Sequence, residues 1–95
     1  MVLYADVQDI IAVKHSSVRY NHDVPRMVEW LRKTNGNITD PLDVILTNTK
    51  LVVINGVRRL LACQFVQANK DQFSVDLIKN TQRIPIRILR INVSV

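Results

Sequence analysis

The sequence predicts an α+β domain in which a small mixed β-sheet packs with two main helices. Three observations lead there. Val24, Met27, Val28 and Leu31 recur at i, i+3, i+4 and i+7, one face of a helix. Two apolar runs, residues 42–46 and 51–54, flank the polar turn Thr47-Asn48-Thr49-Lys50. The second run stops at Asn55-Gly56, and a helical pattern starts at once at Val57.

Taken in order, residues 2–14 carry Val7, Ile10, Ile11 and Val13, which suits one short strand with a polar flank. His15 to His22 have no sustained apolar period and read as a loop. Asp23 is the expected N-cap of the first helix, with Pro25 tolerated in its first turn. Arg32 and Lys33 suit the negative end of that helix, and Gly36 is its stop. Trp30 lies beside the apolar face, as core packing or its rim. Residues 37–41 lead into the hairpin.

The second helix spans about Val57 to Ala68 and is expected to bury Val57, Leu60, Leu61, Gln64 or Phe65, and Ala68. Residues 69–72 read as a turn, 73–78 as a strand, and 80–83 as another turn. In the last segment Ile84, Ile86 and Ile88 alternate, after which Leu89, Ile91, Val93 and Val95 alternate on the other parity. A β-bulge between Ile88 and Leu89 would keep both sets facing inward and leave Arg87 and Arg90 outside.

At 95 residues the chain suits one domain, 1–95. Its 47% hydrophobic and 22% charged residues exclude whole-chain disorder. The formal charge of +5 favours acidic partners: nucleic acid (DNA or RNA), a nucleotide, or an acidic protein. Cys63 is the sole cysteine, so neither an internal disulfide nor a Cys/His metal spacing can be assembled. No apolar run is long enough to span a membrane and no signal peptide is visible, so the expectation is no membrane partner and action in the cytoplasm. The opening Met1-Val2-Leu3-Tyr4 fits either a native start or a piece excised from a secreted parent.

The most informative feature is the pair Arg58 and Arg59 in the first turn of the second helix. A helix start carries unpaired N–H groups and about half a unit of positive charge, so cations there are disfavoured. An arriving phosphate or carboxylate would meet backbone donors, the helix dipole and two guanidinium groups at one spot. The alternative is that these arginines are solvated or pair with Asp40 or Asp43.

With this order in hand, the chain resembles the ParB/sulfiredoxin superfamily. The residues that carry the resemblance are Pro41-Leu42-Asp43-Val44, the stretch Ile54-Asn55-Gly56-Val57-Arg58-Arg59-Leu60-Leu61-Ala62, and the late Ile84-Pro85-Ile86-Arg87. In sulfiredoxins the residue after the glycine is a reactive cysteine, and in nucleotide-hydrolysing ParB proteins it is glutamate. Here it is Val57, which removes both chemistries at that position while phosphate binding through Gly56, Arg58 and Arg59 survives. Small ParB-like nuclease domains of bacterial toxins are the nearest branch. They carry a Ser-Ser-Val segment and an Asp-Pro-hydrophobic-x-Val strand, matched here by Ser16-Ser17-Val18 and Asp40-Pro41-Leu42-Asp43-Val44.

The resemblance implies that the Ser16–Arg19 loop faces the Gly56 turn across one cleft. Ser16, Ser17, Arg19, Gly56 and Arg59 would then bind phosphate, with Arg87 extending the basic surface along a nucleic-acid backbone. Turn chemistry for the serines and edge protection for Arg87 and Arg90 are the competing readings. Arg58 would stabilise charge on phosphate. Histidine ordinarily titrates near neutrality, which makes His22, ahead of His15, the candidate proton shuttle. No metal ligand set is assigned, although a divalent ion such as Mg could use Asp40 and Asp43. Tyr20 is the one aromatic expected beside the cleft, which leaves base readout unsupported. The leading expectation is a nuclease cleaving DNA or RNA, as in a toxin domain whose partner would include an acidic inhibitor or immunity protein. The alternatives are a non-hydrolytic nucleotide-binding regulatory module and a basic protein-interaction domain.

Overall fold

The fold grows from a central strand. In a computed structural model describing residues 3–12 and 18–92, β3 (Leu42–Thr47) buries Leu42 and Val44 completely and joins β4 (Lys50–Asn55) through a turn with Asn48 at φ 54°. β5 (Arg83–Asn92) lies parallel to β3 on its other side. The first segment makes two strands where one was expected, β1 (Leu3–Asp6) and β2 (Ile10–Ala12). They occupy opposite edges of the sheet, in the order β1-β5-β3-β4-β2, with β1 antiparallel to β5 and β2 parallel to β4. Only the 3₁₀ turn Val7–Asp9 separates them. Two edges tied by so short a link must lie close together, so the sheet curls. Val7 fills the inside of the curl, and Gln64 donates to the Val7 and Ile10 carbonyls at 2.9 and 3.0 Å.

The first helix, α1 (Tyr20–Thr34), begins earlier than expected. Arg19 holds the N-cap position and Asp23 lies inside the helix, where its Oδ2 accepts from the Arg19 backbone N–H at 2.8 Å. Asp23 therefore caps by reaching back, a role that its residue type suits as well as the N-cap itself. At the far end Asn35 is left-handed and the Gly36 N–H closes onto the Leu31 carbonyl at 2.8 Å. Val24, Val28 and Leu31 are buried, as their spacing requires.

α2 (Val57–Ala68) has the expected bounds but buries Leu60, Ala62, Cys63 and Val66, leaving Ala68 exposed. The helix is pressed between the sheet and its helical neighbours, so more than one stripe of it is covered. Residues 73–78 are not a strand, nor 80–83 a turn. Ser74 caps a third helix, α3 (Val75–Gln82), with Oγ accepting from the Leu77 N–H at 3.2 Å, and β5 starts directly after it. Leu77, Ile78 and Thr81 turn inward at helical spacing, and buried Thr81 bonds to the Leu77 carbonyl and to Gln67.

β5 does carry its bulge: Val44 pairs with Ile88 and Ile45 with Arg90, which skips Leu89. Of the second apolar set, Val93 and Val95 lie outside the described residues, and Leu89 and Ile91 do not turn inward. Leu89 and Ile91 are 50% and 63% exposed, because among the described residues no element covers that end of the strand. The class is α+β, and the described residues form a curled mixed sheet and three α-helices, against the two main helices expected.

Candidate functional site

The site forms where β4 hands over to α2. Gly56 adopts φ 103° and ψ 23°, a conformation that costs side-chain-bearing residues energy. A Cβ there would lie 2.7 Å from Leu42 Cγ and 3.0 Å from the Arg59 guanidinium. Glycine thus lets the backbone turn tightly over Leu42 while Arg59 folds back across it. α2 starts with no side-chain cap and no acidic residue in its first turn, so its leading N–H groups keep their capacity to bind an anion.

The two arginines have separate partners. Arg58 Nε donates to Asp23 Oδ2 at 3.1 Å, crossing from α2 to α1. Arg59 donates to the backbone carbonyl of Asp40 at 2.7 Å. Neither meets the carboxylates of Asp40 or Asp43, the partners considered from the sequence. Asp23 also receives the Arg19 N–H on Oδ2 and has His22 Nδ1 at 3.1 Å from Oδ1. The Arg19 N–H above all, then His22 and Arg58, holds the Asp23 carboxyl well below the usual carboxylate range. A carboxylate only accepts, so His22 Nδ1 is the donor in that contact, and in the neutral tautomer Nε2 is the acceptor nitrogen.

Arg87 has a different place. Its Nε and Nη2 both lie 2.9 Å from Asp43 Oδ1, while Asn55 Nδ2 donates to Asp43 Oδ2 at 3.3 Å. Asp43 is nearly buried, so this pairing neutralises a carboxylate inside the sheet. Asp43 is thereby engaged by a cation, and among the described residues no three His, Cys, Asp or Glu side chains converge as a metal site.

Two adjoining grooves share Met27, Arg58 and Arg59. One, of about 310 Å³, runs past Val18, Asn55, Gly56 and Val57. The other, of about 450 Å³, continues along α1 past Asp23, Arg26 and Trp30. Three arginines line the second groove against one carboxylate, and among the described residues neither Arg26 nor Arg59 is paired with an acid. Trp30 is not a core residue but 38% exposed. Tyr20, the aromatic expected at the cleft, lines separate hollows beside Phe65 instead.

The structure thus brings together Gly56, Arg58, Arg59, Asp23 and His22, with Arg19 joining through its backbone. Arg87 is tied to Asp43, and Ser16, Ser17 and His15 lie outside the described residues. Sequence reasoning missed Arg26, Trp30 and the linking role of Asp23, although Asp23, Arg26, Met27 and Trp30 follow the i, i+3, i+4, i+7 period of a second helix face. Cys63 is buried and its thiol is pushed up to about 12 by burial, which removes it as a nucleophile. No helix among the described residues is long and apolar enough to cross a membrane.

Compared with known proteins, the chain matches no protein-family model and no curated protein.

Proposed function

We propose that this chain is a ParB-like domain that binds a phosphate-bearing substrate at the Gly56–Arg59 turn and cleaves the phosphodiester backbone of nucleic acid there. The observation that carries the reading is the Asp23 carboxylate, which holds His22 on one side and Arg58 on the other at the edge of an arginine-lined groove. The helix opening on Gly56-Val57-Arg58-Arg59 directly after a strand supports the ParB-like likeness.

In this reading the α2 N–H groups and Arg59 hold the phosphate, and Arg58 stabilises the charge that develops on its oxygens. His22 Nε2 takes a proton from water as the water oxygen attacks phosphorus. The P–O bond to the leaving group breaks, and the imidazolium returns its proton to that oxygen. Asp23 steadies the imidazolium, the role an orienting carboxylate plays beside a catalytic histidine.

The test is cleavage of plasmid DNA and total RNA, with and without Mg, by wild type, Arg58→Ala and His22→Ala. Cleavage lost in both variants supports the reading. Intact substrates with wild type under every condition overturn it.

Val57, at the position where hydrolytic relatives of the resembled family carry glutamate, favours a second reading, a nucleotide-binding module without hydrolysis. A thermal shift with ATP, CTP or GTP and no nucleic-acid cleavage would select it.

A further inference from the structure

We infer that the Trp30 end of the groove is a base-stacking site, so that the ligand of this domain is single-stranded nucleic acid. The inference rests on the phosphate-binding reading above and assigns the part of the groove beyond it.

Trp30 is the only tryptophan in the chain and is 38% exposed, on the same groove as Arg26, Arg58 and Arg59. The exposed part of the ring lies beside Arg26 and Arg59, which pair with no acid among the described residues, so this end of the groove best matches something both flat and negative. An unpaired nucleotide has both properties: a base whose face stacks on an indole and a phosphate that suits an arginine. A base inside a duplex is already stacked and cannot offer its face.

The spacing suits this ligand. Asp23, which marks the Arg58 position on α1, and Trp30 are separated by seven residues of one helix. At 1.5 Å per residue that places them about 10 Å apart along the helix axis. The span from one phosphate of an extended strand, across the sugar, to the base of the next nucleotide is of this order, so a phosphate at the Gly56 turn leaves a base within reach of Trp30. Arg26 and Arg59, unpaired with any acid among the described residues, flank the path between. Met27 provides its apolar floor, a flexible side chain suited to bases of differing shape.

Because Trp30 is the sole tryptophan, its own emission reports the contact. The experiment titrates wild-type protein with a short single-stranded oligonucleotide, a duplex of the same length, and an abasic strand with the same phosphates. The expected result is quenching by the base-bearing single strand and little by the other two. Trp30→Ala, followed through a fluorescent label on the strand, should bind about 10-fold more weakly or worse, and Trp30→Phe should restore a large part of the loss. Circular dichroism of both variants checks that α1 is retained. Equal binding of base-bearing and abasic strands without quenching, still weakened by Arg59→Ala, overturns the stacking site and leaves phosphate binding standing. Absence of binding by every strand overturns both.

Discussion

Asp23 and Arg58 are 35 positions apart in the chain, yet the Oδ2 of one accepts from the Nε of the other at 3.1 Å. The contact ties α1 to the start of α2. It also resolves the oddity of a cation at the positive end of a helix dipole, since Asp23 supplies from another helix the negative charge that the first turn of α2 lacks.

Asp23→Asn should therefore lower the melting temperature at pH 7. The carboxyl is held below the usual range of about 3.9, so its stabilisation is complete at neutral pH and is lost as pH falls below about 4 toward the lowered folded value. Thermal melts of both proteins from pH 7 to pH 2 should converge at the acid end. Identical melts at pH 7 would count against the tether.

Gly56→Ala should destabilise the fold by about 2 kcal/mol or more, from positive φ together with the clash on Leu42. Urea denaturation measures it. A change within a few tenths of a kcal/mol would mean that the turn relaxes to take a side chain and that Gly56 is not required there.

Arg87→Ala should cost about 1–3 kcal/mol, because the Asp43 carboxylate loses its counter-ion and keeps only Asn55. Adding Asp43→Asn should recover part of that loss, which a double-mutant cycle reads directly. Arg87 acting on a nucleic-acid backbone predicts something else: binding that falls while stability is unchanged.

Cys63 should not react with a disulfide reagent at pH 8 until the protein unfolds. Its thiol is pushed up to about 12, whereas an unfolded thiol ionises near about 8.5. The unfolded state releases its proton first, so stability from this group is intact below about pH 8.5 and declines as pH rises toward 12. Thiol labelling at increasing denaturant should follow the unfolding transition, and rapid labelling of the native protein would contradict the burial.

Much of the architecture was legible locally. The hairpin and α2 stand close to their expected bounds because β-branched runs, a polar turn and one glycine act over a few residues. α3 is hidden in the sequence because Val75, Leu77 and Ile78 resemble a strand by composition, while the deciding signal is the single cap at Ser74. The division of residues 3–12 into two strands was hidden for a different reason. Each pairs at its own edge of the sheet, and no local pattern says which partner a short apolar run will find.

The sequence by itself determined that a helix opens at Gly56 with Arg58 and Arg59 in its first turn, and that the chain is basic, because these follow from composition and from periods shorter than two turns. The tertiary structure decided that Asp23 receives Arg58, that Asp43 takes Arg87, and that Trp30 lines the arginine groove instead of the core. Those pairings join residues 35 and 44 positions apart. Strand register and helix packing bring such residues into contact, and neither is encoded within the few residues on either side of a charge.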